Sequence, residues 1–272
     1  MSEAYSDFAL VYDTLMDNIP YDEWFHYIEL LLEDFNIKSG LIAELGCGTG
    51  NITERLAAAG YDMIGIDNAP AMLDIAQKKK AANGSSTLYL NQDMREFELY
   101  GTVSAIISVC DSVNYILDEK ELTEVFRLVN NYLDPKGIFI FDFNTRHYYL
   151  DIVSDATIAE DREDISFIWD NLYDVETNIN ELYLSLFIRA DNMNHNFNAE
   201  ALTADRSNYR SDNNLYRKYE ELHLQKGYTL NEMIHIVNAS GLELICAYDA
   251  FTKKPAAESS ERIYIIAREC GK

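Results

Sequence analysis

The residues best suited to chemistry in this chain lie in one short run, Leu41–Gly50, with the sequence LIAELGCGTG. Glycines at alternate positions remove the Cβ atoms that would hold the backbone away from a ligand, and they permit the positive φ of a tight strand-to-helix turn. Glu44 stands two places before the first glycine, where it can meet a cationic ligand group. The run predicts a cofactor loop that lays a ribose or an adenosyl group against bare main chain.

The glycine spacing indicates which cofactor is bound. A dinucleotide loop needs G-x-G-x-x-G, whereas this run has G-x-G-x-G, so a nicotinamide dehydrogenase is disfavoured by the spacing and by Glu44. The run resembles the first motif of the class I S-adenosylmethionine-dependent methyltransferases, acidic-x-Gly-x-Gly-x-Gly. The resemblance implies S-adenosyl-L-methionine as cofactor and S-adenosyl-L-homocysteine as its product.

Two further motifs follow in the order found in this family. Asp67 ends the predicted strand Asp62–Asp67, where a carboxylate can accept from both ribose hydroxyls, although a surface turn is an alternative interpretation. Asp93 and Met94 follow the predicted strand at 88–91; by resemblance Asp93 accepts from the adenine amino group and Met94 lines the ring, while a local N-cap stays open for Asp93. The cofactor-binding residues that the resemblance implies are Tyr12, Glu44, Gly46, Cys47, Gly48, Gly50, Asp67, Asn68, Asp93, Met94 and Cys110.

Candidates for the reacting side are fewer. The buried strand predicted over Val103–Cys110 runs into Asp111-Ser112-Val113-Asn114-Tyr115, and in the family this strand end lies beside the transferable methyl group. Asp111, Asn114 and Tyr115 are therefore candidates, with ordinary loop and packing roles equally open. His147 is a candidate general base, although a structural role is the more common one for a lone histidine. No metal-ligand spacing occurs, and the Asn-Pro-Pro-Tyr motif of DNA and glutamine N-methyltransferases is absent.

The elements that must position these residues form an α/β pattern. Helix and strand signals alternate as far as Asn144 and resume at Thr229. The resemblance implies a Rossmann-like seven-stranded, mostly parallel sheet with helices on both faces and an antiparallel last strand. Residues 145–226 instead contain three or more alternating segments, which predict an inserted antiparallel β module.

Three regions are predicted. Residues 1–39 are an aromatic helical lid, in which Tyr12 is the best candidate to reach the cofactor and Tyr5, Tyr21 and Trp24 are weaker ones; core packing is the open alternative. Residues 40–144 and 227–272 form the cofactor-binding core. Residues 145–226 cover the substrate, because ligands bind beyond the carboxyl ends of the strands in open α/β sheets.

The amino-acid composition limits the kinds of partner that the chain can bind. The chain has 46 acidic and 22 basic residues and a net charge of −24, so binding of nucleic acid is disfavoured. The basic residues Arg206, Arg210, Arg217 and Lys218 are interpreted as solvated surface or as a site for an anionic substrate. Four scattered cysteines predict a cytoplasmic protein, and the lack of a stretch of ~20 apolar residues predicts that it does not span a membrane. We expect a monomer or a homodimer.

We therefore expect a methyltransferase that moves a methyl group in-line to an N, O or C nucleophile of a small molecule. The pattern is similar to that of relatives of glycine N-methyltransferase and ubiquinone C-methyltransferase. Two alternatives stay open. One is an RNA or protein methyltransferase on the same core, and the other is a non-catalytic regulatory protein that binds S-adenosylmethionine.

Overall fold

A computed structural model describes residues 8–190 and 215–272. In chain order the helices are α1 (Tyr12–Leu15), α2 (Tyr21–Asp34), α3 (Asn51–Ala58), α4 (Pro70–Asn83), α5 (Glu119–Tyr132) and α6 (Leu230–Ala239). The strands are β1 (Leu41–Leu45), β2 (Asp62–Asp67), β3 (Leu88–Asn91), β4 (Val103–Ser108), β5 (Leu133–Asn144), β6 (Thr157–Asp161), β7 (Ile165–Asp174), β8 (Ile179–Arg189), β9 (Tyr216–Lys226), β10 (Glu243–Asp249) and β11 (Arg262–Arg268). Within these ranges, every helix is too short or too polar to cross a membrane.

The main sheet has seven strands in the order β10-β11-β5-β4-β1-β2-β3, and β11 runs antiparallel to both of its neighbours. Side chains alternate between its two faces, so that Ala43 joins a core cluster with α5 and α6, while Ile42 joins one with α2 and α3. Strands β4 and β5 are buried on both faces, as their near-continuous apolar runs require. The fold class predicted from the sequence is confirmed.

A second sheet follows β5 and has four antiparallel strands in the order β6-β7-β8-β9. A short π-helix, Tyr148–Val153, connects it to the core. Strands β7, β8 and β9 fall on the three alternating segments of the sequence. Strand β6 adds a fourth that the sequence did not indicate, because its residues are almost all exposed and carry no apolar alternation.

The amino-terminal segment is divided between the two sheets. Phe8 and Leu15 pack on the second sheet against Phe167 and Leu186. Helix α2, by contrast, packs on the main sheet through its buried face, with Leu31 fully covered. The residues before α2 therefore pack on the second sheet, and α2 itself packs on the main sheet. Three candidates fall outside the described residues: Tyr5, Arg206 and Arg210.

Candidate active site

The glycine run after β1 folds as a tight turn. Gly48 has φ +53°, and a Cβ added there would meet no atom within 4 Å, so its face opens into free space. Gly50 has φ +77° at the N-cap of α3, and a Cβ there would lie 2.4 Å from the Tyr89 hydroxyl. Gly48 thus leaves the backbone bare for a ligand, whereas Gly50 permits the turn itself.

A cavity of about 800 Å³ lies against this turn at the carboxyl ends of β1, β2 and β4. Of the predicted cofactor residues, all except Gly50 line it. Gly50 does not line the cavity, because Tyr89 covers the side of Gly50 on which a Cβ atom would lie. The cavity is lined by Tyr12, Tyr21, Glu44, Gly46, Cys47, Gly48, Thr49, Asn51, Ile52, Ile66, Asp67, Asn68, Ala69, Pro70, Ala71, Met72, Gln92, Asp93, Met94, Arg95, Cys110, Ser112, Tyr115 and Ile116.

Two carboxylates in this wall have no cation beside them, and Glu44 is buried while Asp67 is half-buried. Glu44 is 3% exposed and accepts a short hydrogen bond from the Thr53 hydroxyl, and burial raises its pKa to about 8. Asp67 accepts from the main-chain N–H groups of Gly48 and Ala69, both at 2.8 Å, and burial also raises its pKa. Among the described residues neither carboxylate has an ion-pair partner within 4 Å.

The donor set fits S-adenosylmethionine. Carboxylates that are buried or half-buried without a cation favour a ligand that brings positive charge, and this cofactor carries an ammonium and a sulfonium group. The open face of Gly48 is the cradle that an adenosyl group needs. Asp93 also suits its expected role, since the hydrogen-bonded Arg95 guanidinium lowers its pKa and keeps it ionised. Asp93 also accepts from the Arg95 main-chain N–H, so it caps the local turn as well.

A second cavity of about 290 Å³ adjoins the first, and we call it the acceptor chamber. The two cavities share Tyr12, Tyr21, Cys110 and Tyr115. The rest of the chamber is formed by the amino-terminal segment, the edge of the core and the inner face of the second sheet. Its other lining residues are Phe8, Met16, Ile19, Trp24, Asp111, Asn144, Tyr148, Tyr149, Val153, Ile158, Trp169, Asn171, Leu182, His223, Gln225 and Arg262.

The catalytic candidates have different surroundings. Asp111 lines the chamber, but its oxygens accept hydrogen bonds from Arg262 and Gln225, both at 2.7 Å. Its carboxylate therefore holds these two side chains of the chamber wall in place. Tyr115 lines both cavities. Asn114 is fully buried and lines neither cavity; its amide holds main-chain carbonyls of the core and β9. His147 also lines neither cavity, and its Nδ1 lies 2.7 Å from Asp151 on the π-helix.

The sequence motifs do not predict several of the chamber residues, because these residues lie far from the motifs in the chain. Trp169 comes from β7, His223 and Gln225 come from β9, and Arg262 begins β11. One signal was present in β9, where polar and apolar residues alternate over Glu221–Gln225. Alternation alone does not tell which set faces inward, and here the polar set does.

The comparisons with known proteins agree with this geometry. Residues 42–137 match a family model described as a methyltransferase domain. The putative methyltransferase YqeM of Bacillus subtilis strain 168 is 32% identical over 97% of each chain. The crystal structure of an S-adenosylmethionine-dependent methyltransferase from Clostridium acetobutylicum ATCC 824 has a TM-score of 0.81 at 24% identity and covers 99% of this chain and 100% of that one.

A second solved structure shares the fold at lower identity. It is CalS10 with S-adenosylmethionine bound, an amino pentose methyltransferase from Micromonospora echinaspora. Its TM-score is 0.70 at 16% identity, and the match covers 96% of this chain and 97% of that one.

Proposed function

The chain belongs to the class I S-adenosylmethionine-dependent methyltransferases, and from this premise we propose that it methylates an N, O or C nucleophile of a small molecule held in the acceptor chamber. The observation that carries the proposal is the junction of the two cavities. Four side chains wall both, so an acceptor in the smaller cavity lies next to the cofactor cavity. A volume of about 290 Å³ suits a small molecule rather than a macromolecular segment.

Charge and similarity support the same acceptor class. A net charge of −24 disfavours the phosphate contacts that an RNA substrate needs. Proteins of this fold include an amino pentose methyltransferase and a sugar N-methyltransferase by their names. Four free cysteines fit the cytoplasmic location expected from the sequence. A protein methyltransferase and a non-catalytic binding protein remain as the competing functions.

The proposed roles follow from position. Gly48, Asp67 and Asp93 hold the adenosyl part, Glu44 faces the cationic part, and Tyr12 closes the junction. The bound cofactor supplies a methyl group that its sulfonium has already activated. Residues 145–226 and the segment before α2 orient the acceptor and exclude water, which accelerates an in-line transfer.

The experiment uses Trp169, whose side chain lines only the acceptor chamber. We expect Trp169→Ala to raise the KM for the acceptor at least about tenfold, because an enlarged chamber positions it poorly. Affinity for S-adenosylhomocysteine, measured by calorimetry, should stay unchanged. The acceptor is first found by screening amines, phenols and sugars for methyl transfer.

Ile168→Ala is the matched control, since Ile168 neighbours Trp169 on β7 but is 38% exposed and lines neither cavity. Its acceptor kinetics should equal those of the wild type. Cofactor binding without turnover of any small molecule in the screen would favour one of the competing functions.

A further inference from the structure

Strand β9 turns a polar face toward the acceptor chamber. Glu221, His223 and Gln225 are buried, while the leucines between them, Leu222 and Leu224, are partly exposed. Burying a carboxylate and an imidazole is unfavourable unless they are compensated, whereas burying leucines would stabilise the fold. A register shifted by one residue would have exchanged the two sets. The strand thus keeps an unfavourable arrangement that places His223 and Gln225 at the chamber wall, with Glu221 buried beside His223.

Two of these buried groups, His223 and Glu221, form a chain of contacts with the half-buried Tyr115. The Tyr115 hydroxyl lies 3.2 Å from Nδ1 of His223, and Nε2 of His223 lies 3.3 Å from Oε2 of Glu221. The other carboxylate oxygen of Glu221 accepts from the Phe8 main-chain N–H at 2.9 Å. The His223 and Glu221 side chains are 1% and 0% exposed. Tyr115 reaches both cavities and His223 lines the chamber, so the contact chain begins where an acceptor would react.

We propose that Tyr115, His223 and Glu221 form a relay that removes a proton from the acceptor during methyl transfer. The negative charge of Glu221 favours a proton on Nε2 of His223, which leaves the Nδ1 lone pair facing Tyr115. The acceptor O–H or N–H proton passes to the Tyr115 oxygen as the Tyr115 proton passes to Nδ1. The Glu221 carboxylate stabilises the imidazolium that results, which later loses the proton to water.

The step balances in atoms and electrons. The acceptor lone pair, which an ammonium gains only when the relay has taken its proton, forms the new bond to the methyl carbon, and the electron pair of the broken carbon–sulfur bond stays on sulfur. The proton left on the acceptor is the one that the relay takes. No further oxidant, reductant or co-reactant is required.

The relay also indicates which class of acceptor is methylated, and this inference rests on the proposed function. An acceptor that needs a base carries an O–H or N–H group, as a phenol, an alcohol or an ammonium does. Anionic acceptors are disfavoured because Asp111, Asp142 and Glu221 lie at or behind the chamber wall, and Arg262, the basic residue that lines it, already pairs with the two aspartates. We therefore expect a neutral or cationic acceptor rather than a carboxylate.

The groups around His223 determine how a pH profile is interpreted. Tyr115 faces it from the 3₁₀ helix Ser112–Tyr115, and Glu221 faces it from its own strand. The Phe8 ring packs edge-on at 6.3 Å and carries no charge. The other titratable groups that line the chamber are Tyr12, Tyr21, Cys110, Asp111, Tyr148, Tyr149 and Arg262.

The first test reads the tautomer of His223 directly and does not need an acceptor. In the full chain labelled with ¹⁵N-histidine, with S-adenosylhomocysteine added at about pH 8, NMR should find a proton on Nε2 and none on Nδ1. His223→Asn assigns the resonance among the five histidines. A proton on Nδ1 would overturn the relay, since that atom could then accept nothing.

The second test compares two acceptor probes at about pH 8.5, phenol, which is protonated, and 4-nitrophenol, whose anion reacts slowly in every variant because of its charge but needs no base. His223→Asn and Tyr115→Phe should lower kcat/KM for phenol about 100-fold or more and that for 4-nitrophenol less than about threefold. Glu221→Gln keeps an acceptor for the Phe8 N–H but removes the charge, so its loss should again be confined to phenol. On phenol, the wild-type rate should also fall at low pH, and His223→Asn should lack this decrease.

The matched controls are His235→Asn, Tyr100→Phe and Glu220→Gln, at exposed positions away from both cavities. They should leave both probes unaffected. Equal losses on the two probes would mean that the three residues only shape the wall, and the relay would be wrong. If the wild type methylates no small molecule, the proposed function fails, while the tautomer still decides the relay.

Discussion

The two cavities differ in what lies beside their acidic side chains. In the cofactor cavity, Glu44 and Asp67 receive hydrogen bonds from a hydroxyl and from main-chain N–H groups, with no cation beside them among the described residues. In the wall of the acceptor chamber, Asp111 pairs with Arg262, which also pairs with the buried Asp142 behind the wall. The first cavity lacks a positive charge beside its carboxyl groups, and a cationic ligand supplies one. The second supplies most of its own compensation and suits an acceptor that brings no negative charge.

The cavities also differ in how the chain builds them. The cofactor cavity uses the ends of neighbouring parallel strands, where a few consecutive residues follow each strand. The chamber draws single residues from the amino-terminal segment, the core edge and the second sheet. A substitution in the cofactor loop should therefore act on one ligand alone, whereas the chamber and the segment that borders both cavities should be coupled.

The largest effect is expected from Gly48→Val. The valine side chain would project into the open space that the turn leaves for the adenosyl group, so affinity for S-adenosylhomocysteine should fall at least about a thousandfold, or about 4 kcal/mol. The positive φ should also lower the free energy of unfolding by about 1–3 kcal/mol. Calorimetry measures the first effect and urea unfolding the second.

Gly84→Val separates strain from ligand exclusion. Gly84 has φ +66°, and a Cβ there also meets no atom within 4 Å, but it follows α4 away from both cavities. It should show the same loss of stability with normal cofactor affinity. If both variants bound the ligand equally well, the cavity beside Gly48 would not be the cofactor site.

The same contrast explains what could be predicted from the sequence. The strand ends at Glu44, Asp67 and Asp93 are local in the chain and carry recognisable residue types, so ten of the eleven residues predicted for the cofactor line its cavity, while other lining residues such as Thr49 and Gln92 were not among them. Gly50 was included because a motif does not distinguish a glycine that faces the ligand from one that the turn requires. The main sheet was also predicted, since its buried strands are apolar and its helices are bounded by caps such as Thr229.

The chamber could not be predicted in the same way. Trp169, His223 and Arg262 meet only because the second sheet folds over the core, and no local pattern encodes that contact. The alternation in β9 indicated a strand but not its inward face. His147 has the right residue type near the right strand, yet the turn into the π-helix directs it to Asp151 instead.

A smaller effect is expected from Glu44→Gln. Burial raises the pKa of Glu44 to about 8 in the folded protein, above its usual value, so between these values the folded state holds a proton that the unfolded state has lost. This group's contribution to stability is complete below its unfolded pKa and is lost as pH rises through about 8. The difference between wild type and Glu44→Gln should change by up to about 2.7 kcal/mol from pH 6 to pH 8.

Urea unfolding of both proteins across this pH range measures the difference, with Glu33→Gln on the exposed side of α2 as control. Saturating S-adenosylmethionine should reduce it, because a cation near Glu44 favours the ionised carboxylate. A pH dependence that is identical in Glu44→Gln and wild type would show that the carboxylate is already compensated and would remove the contrast between the two cavities.

The smallest effect is expected where the cavities are joined. Asp13 on α1 accepts from Thr49 at 2.8 Å and Asn51 at 2.9 Å, and Lys79 of α4 lies 2.7 Å away. Burial alone would raise the pKa of Asp13, but the hydrogen bond from Lys79 and those from Thr49 and Asn51 outweigh it and lower the pKa. This cluster fastens the segment that carries Tyr12 to the cofactor loop.

Asp13→Asn should therefore weaken binding of S-adenosylhomocysteine two- to fivefold and raise the acceptor KM by a similar factor, because Tyr12 borders both cavities. A double-mutant cycle with Lys79→Met should give a coupling of about 0.5–1 kcal/mol in cofactor affinity, since both side chains are partly exposed. Asp34→Asn is the matched control, because it breaks a surface pair with Lys253 distant from the cavities. A change in cofactor affinity without any change in acceptor KM would mean that the segment serves the cofactor cavity alone, and the acceptor would then be held by the core edge and the second sheet.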